Sequence, residues 1–158
     1  MIYFAYGANI DPQQMRLRCR RGRPLGSARL DGYRLCFPRY SFIRQSAVAS
    51  IEKASDESVW GALYEIENAD LSRLDSCEGY YLASDPAGNP FNRVDVETYD
   101  LDGRRMEAFT YVANAMAYAG EPSHGYLSQL ARCGRALDFP EDYLAKIRAF
   151  IQVPAEAA

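Results

Sequence analysis

Clustered cysteine is missing from this sequence: Cys19, Cys36, Cys77 and Cys133 are scattered, with no C-x-x-C pair. A zinc site needs grouped ligands, and with one histidine, His124, the chain offers no such group. Metal is therefore not expected. In a reducing compartment the four thiols read as small apolar side chains. Ser-His-Asp or Cys-His catalysis would rest on His124 alone, and Pro122-Ser123-His124-Gly125 reads as an exposed helix-start loop. Long apolar runs are missing too. The apolar stretches are strand-sized, well below the roughly 18–20 residues of a membrane span. The N-terminus goes straight into strand-like sequence without the pattern of a signal peptide, so a cytoplasmic location is expected. Positive charge is in deficit: 18 Lys+Arg against 21 Asp+Glu leaves −3. That balance gives no reason to expect nucleic acid or an acidic membrane as a partner.

What is present is ordinary globular composition in 158 residues, 48% hydrophobic and 25% charged, the size of one domain. A single domain over 1–153 with a frayed tail over 154–158 is expected. Residues 2–6 read as an opening strand ended by Gly7. Asp11-Pro12 starts a short helix over about 12–20. The only basic cluster follows, Arg16 to Arg23, readable as a solvated face or as an anion-steering patch. Strand patterns lie at 27–37, 46–53 and 58–66. Asn68 is a good N-cap for a helix through Cys77, ended by Gly79. Residues 91–99 and 104–113 form a hairpin around Asp102-Gly103. Two helices close the chain, one from near Ser123 with Tyr126, Leu127, Leu130 and Leu137 inward. The other starts at Pro140, with Leu144, Ile147 and Phe150-Ile151 inward. Runs of hairpin-linked strands with helices at the ends predict an α+β fold. Its sheet is largely antiparallel and barrel-like.

Two features could carry chemistry. Leu71, Leu74 and Glu78 share one helix face, which puts a carboxylate on the core stripe. Burial and the negative helix end both raise the pKa of such a group, as a general acid/base near neutral pH requires. Spacing alone equally allows Glu78 to turn outward or to pair with an arginine such as Arg93. The second feature is the strand end Tyr6-Gly7-Ala8-Asn9. Glycine permits close approach there, asparagine tolerates left-handed backbone, and successive amides could bind an anion. An ordinary tight turn is the simpler reading.

These features fall in register with a family. Phe4-Ala5-Tyr6-Gly7-Ala8-Asn9, Val59-Trp60-Gly61-Ala62-Leu63-Tyr64, Leu74-Asp75-Ser76-Cys77-Glu78-Gly79 and Phe91-Asn92-Arg93-Val94-Asp95-Val96 follow its motifs in order. Tyr111, Pro122-Ser123, Tyr126 and Leu137 to Tyr143 continue the match. The chain thus resembles the γ-glutamylcyclotransferase-like superfamily, which includes AIG2-like and BtrG-like proteins. The resemblance implies a small mixed β-barrel flanked by helices and an intramolecular reaction on a small-molecule γ-glutamyl substrate. The α-amine attacks its own γ-carbonyl, releasing 5-oxoproline and a free amine without a cofactor. It implies Glu78 as the acid/base, the Gly7, Ala8 and Asn9 amides as anion donors, and Tyr6 and Tyr126 as pocket walls. A binding or regulatory module on the same fold is the main alternative. Three departures stand out: Ala8 replaces a common serine, Phe91 a common tyrosine, and the segment 80–90 is longer than usual.

Overall fold

Five strands, β1 (Ile2–Ala5), β2 (Arg23–Ser41), β3 (Ser46–Glu65), β4 (Phe91–Asp100) and β5 (Arg105–Ala113), close into a barrel. Their order is β1-β3-β2-β4-β5. All strand pairs are antiparallel except β1 with β5, where Tyr3 pairs with Phe109. Helices α1 (Pro12–Arg18), α2 (Asn68–Glu78), α3 (His124–Ala136) and α4 (Glu141–Ala149) flank it. This is the expected α+β barrel. The structure, a computed structural model, describes residues 1–151, so the tail expected over 154–158 lies outside it. Among the described residues no helix is long and apolar enough to cross a membrane.

Three local expectations are corrected. The strands expected at 46–53 and 58–66 are one continuous strand, β3. Its pairing with β2 jumps from Asp31–Ser58 to Tyr33–Lys53, so residues 54–57 form a bulge opposite Gly32 at φ 80°. A bulge absorbs unpaired residues without ending a strand, and polarity alone cannot reveal it. At α2 the N-cap position is Glu67 rather than Asn68, and no side chain caps the helix. Backbone bonds between Met1 and Ile66 (2.7 and 3.0 Å) hold the preceding residue at the barrel, which sets where the helix begins. Phe150, expected inward, is 38% exposed and lies edge-on against Phe37. The other end of that reading holds: Leu144 and Ile147 are buried, and Ser123 caps α3 by accepting from Tyr126 N–H at 3.2 Å.

The core runs through the barrel and under α3, with Phe4, Leu74, Leu127 and Val59 fully enclosed. Cys19 and Cys133 are buried in it, as apolar side chains should be, whereas Cys36 is half-buried and Cys77 exposed. Strand β1 is short because Gly7 follows Tyr6, and the chain then turns through a 3-10 segment, Ala8–Ile10. That turn and the C-terminal end of α2 meet, with Asn9 Nδ2 donating to Glu78 Oε1 at 2.7 Å.

Candidate active site

Glu78 is the last residue of α2, and the helix ends there for a local reason. Gly79 adopts φ 79°, ψ 26°, and Tyr80 N–H reaches back to the Asp75 carbonyl at 2.9 Å. Left-handed glycine with that backward bond is a standard helix stop. Leu74, one turn earlier, is wholly buried and anchors the face, so Glu78 points inward with its side chain 14% exposed. Its Oε1 accepts from Asn9 Nδ2 at 2.7 Å and from Arg18 Nη1 at 2.6 Å. Among the described residues Oε2 accepts no hydrogen bond.

Arg93 does not pair with Glu78. It lies 3.4 Å from Asp75 and over the Tyr80 ring at 5.1 Å. The true partner, Arg18, comes from the basic cluster, whose Arg21 and Arg23 also pair, with Glu67 and Glu65. Much of that cluster thus answers acids of α2 and β3. Burial pushes the Glu78 carboxyl up, while Arg18, the Asn9 hydrogen bond and Arg44 pull it down; burial wins and the pKa stays raised.

A cavity of about 350 Å³ opens beside Glu78. Tyr6, Gly7, Ala8, Asn9 and Tyr126 all line it, so the residues singled out in the sequence converge on one space. Their roles in the wall differ from expectation. Tyr6 donates its hydroxyl to the Tyr111 carbonyl, and the Tyr126 hydroxyl accepts from Ala49 N–H at 3.0 Å. Asn9 is not left-handed. The residue is 3% exposed, its side chain donating to Tyr3 Oη at 2.9 Å as well as to Glu78 and accepting from Gln14. A buried amide with all these partners orients the carboxylate, which backbone reasoning did not anticipate. Gly7 has negative φ, and a Cβ there would meet only ordinary contacts, at 3.4 Å from Ala49 and 3.5 Å from Tyr126.

The family pattern described as gamma-glutamyl cyclotransferase, AIG2-like, matches residues 3–129. The chain belongs to that family. Mouse gamma-glutamylcyclotransferase is 22% identical over 152 residues, covering 94% of this chain and 77% of the mouse protein. The human counterpart is 23% identical over the same spans. A solved gamma-glutamyl cyclotransferase superposes with a TM-score of 0.83 at 22% identity, over 94% of this chain and 86% of that one.

In this cyclotransferase-family chain, the 80–90 segment forms one side of the cavity mouth through Tyr81 and Pro90. It is pinned rather than loose. Asn89, 3% exposed, accepts from Tyr81 and Leu82 N–H at 3.0 and 3.2 Å and donates to the Leu82 carbonyl at 2.9 Å. Asn114 ties the same segment to β5 through the Pro86 and Asn89 carbonyls at 2.6 and 2.7 Å. Replacing Asn89 by alanine removes the acceptor of both amides and the donor to the Leu82 carbonyl. The expected loss is roughly 1–3 kcal/mol, with faster amide exchange at Tyr81 and Leu82. Unaltered exchange there would contradict this anchoring.

Across the mouth stands the β2–β3 hairpin, with Arg39, Tyr40, Arg44 and the exposed Phe42 and Ile43 on the cavity's edge. Neither this hairpin nor Arg18 had a motif to announce it. Phe91 also lines the cavity and brings no hydroxyl.

Proposed function

We propose that this chain is a γ-glutamyl cyclotransferase that converts a γ-glutamyl amine or peptide into 5-oxoproline and the free amine. The observation that carries the reading is one carboxylate, Glu78, inward-facing, raised in pKa and held by Asn9 and Arg18 at the wall of a small cavity. Glu78 takes a proton from the α-ammonium, freeing the amine to attack the γ-carbonyl. The ring C–N bond forms, and Glu78 delivers the proton to the leaving nitrogen as its bond to carbon breaks; the second proton that the attacking nitrogen sheds in becoming the lactam N–H passes by way of Glu78 to the freed amine, which departs as an ammonium. Protons balance overall, so no cofactor is required. Folding the glutamyl chain into its reactive conformer supplies much of the rate, because the reaction is already unimolecular.

The amides of Gly7, Ala8 and Asn9 are the proposed donors to the substrate carboxylate or to the developing oxyanion. The turn's own bonds, from Ile10 to Gly7 and Asp11 to Ala8, use later amides. Tyr6 and Tyr126 serve as walls with their hydroxyls already engaged. The unpaired state of all four cysteines suits a reducing compartment, the cytoplasm. A panel of γ-glutamyl dipeptides, γ-glutamyl amines and glutathione, assayed for 5-oxoproline, tests the activity. Binding without release from any member would make the chain a ligand-binding module instead.

Arg18 offers a second check. It holds down a pKa that burial raises, so Arg18→Gln should push Glu78 higher still. A base is active only when deprotonated, so the acid limb of kcat/KM should move to higher pH. A limb that stays in place or moves to lower pH would show that Arg18 does not tune this carboxylate.

A further inference from the structure

Asn9 spends its amide nitrogen on two different oxygens, Glu78 Oε1 at 2.7 Å and Tyr3 Oη at 2.9 Å. Those two oxygens therefore lie no further apart than the two bonds laid end to end. Tyr3 is 4% exposed, with its ring stacked on Phe109 at 5.4 Å between centroids and edge-on to Tyr111 at 5.6 Å. A ring packed on two sides cannot swing, so rotation about the C–O bond is the freedom left to the hydroxyl. Tyr3 lines the cavity together with Asn9 and Glu78. Among the described residues its hydroxyl accepts from Asn9 and its own proton has no acceptor. A buried donor left unspent calls for a partner, and the open space beside it is the cavity.

Burial pushes the Tyr3 phenol well above its ordinary pKa, the nearby Glu78 charge adds to the rise, and the Asn9 hydrogen bond offsets part of it. The hydroxyl therefore stays protonated and serves as a donor, not as a base. A fixed neutral donor gains most from an oxygen that acquires charge during the reaction. In the cyclisation described above that oxygen is the γ-carbonyl, which becomes an oxyanion when the amine adds. It shares its carbon with the nitrogens that Glu78 serves, and Asn9 holds donor and base at a matching short separation. We propose that Tyr3 donates its O–H to the γ-carbonyl oxygen and is a second catalytic residue of this site, an inference that rests on the cyclotransferase reading. The hydrogen bond strengthens as negative charge builds, so it lowers the barrier more than it tightens substrate binding. No proton is transferred, and the phenol ends as it began. The amides of the Gly7–Asn9 turn are then left to the substrate's carboxylate.

Tyr3→Phe removes the hydroxyl and keeps the ring. Its kcat for 5-oxoproline release should fall by about 10²- to 10³-fold, the range for one lost oxyanion donor, with KM within about threefold. The control is a substrate without a good acceptor. γ-Glutamyl-leucine and its γ-thioamide, in which sulfur replaces the γ-carbonyl oxygen, both release leucine on cyclisation, and sulfur accepts weakly. The oxo-to-thio ratio of kcat should therefore be lower in Tyr3→Phe than in wild type by the same roughly 10²- to 10³-fold. Taking both substrates on one preparation cancels any loss of folded protein. If the dipeptide is inert, the panel member turned over fastest and its thioamide take its place. Were Tyr3 only steadying Asn9, both substrates would slow together and the acid limb would move to higher pH, because the Asn9 bond holds the Glu78 pKa down. That result, or an unchanged kcat, overturns the proposal while wild-type 5-oxoproline release upholds the activity. If wild type cyclises no member of the panel, the activity fails, and calorimetric binding of 5-oxoproline, which carries the same carbonyl oxygen, decides the site. Binding weakened roughly 2- to 10-fold in Tyr3→Phe, the range of one hydrogen bond, supports the donor. Equal binding, or none, overturns it.

Discussion

Glu78→Gln should lower 5-oxoproline release by about 10²- to 10⁴-fold, the range for a lost general acid/base. Its melting temperature at pH 7 should stay the same or rise. Glutamine keeps the shape and can still accept from Asn9 Nδ2 and Arg18 Nη1. What it removes is a charge that burial opposes. Because the folded-state pKa is raised above 4.5, the native protein holds this proton more tightly than the unfolded chain. Stability from that group is complete below pH 4.5 and is lost as pH climbs through the raised value. The variant should therefore gain on wild type as pH rises through that window, and the two should converge in acid. Paired thermal melts from pH 4 to 8, with 5-oxoproline assays beside them, measure both effects. A variant with full activity would remove Glu78 from the chemistry, and one that melts lower at pH 7 would mean the Arg18 pair outweighs burial.

Gly61→Ala should be the most damaging small substitution in the barrel. A Cβ at Gly61 would fall on the Ala5 carbonyl oxygen and within 2.6 Å of the Phe4 ring, both fully buried. A backbone oxygen inside a paired strand cannot step aside, so β1 must shift, at roughly 3 kcal/mol or more. Ala5 leads directly into Tyr6 and Gly7, so the same shift should carry the proposed anion-binding turn away from Glu78. Gly125→Ala provides the contrast. That glycine sits in the first turn of α3 with open space around it and no positive φ, so alanine should stabilise by about 0.4–1 kcal/mol. Urea unfolding of the two variants compares them directly. Similar midpoints would mean that the barrel tolerates displacement of β1.

Element identity was largely legible because each signal was local. Asp11-Pro12 starts α1, Ser123 caps α3 and Gly79 stops α2, each by bonds within a few residues. The helical spacing of Leu74 and Glu78 put the carboxylate on the core stripe but left it free to turn outward, and the family motifs tipped the reading inward. Boundaries failed where a distant neighbour set them. The β3 bulge depends on Gly32 of the facing strand, and the start of α2 depends on Met1. Glu78's partner was missed for the same reason: Arg93 is nearer in sequence, but Arg18, sixty residues away, is nearer in space.

By itself the sequence determined an α+β barrel, a carboxylate on the inner face of α2, and its register with the Tyr6–Asn9 turn. Periodicity, caps and motif order are properties of short stretches, and one-dimensional reading can reach them. Only the tertiary structure decided that Asn9 and Arg18 hold Glu78, and that the β2–β3 hairpin brings Arg39 and Arg44 to the same cavity. Those facts depend on which surfaces the closed barrel brings together, and burial, which raises the pKa of Glu78, exists only once it has closed.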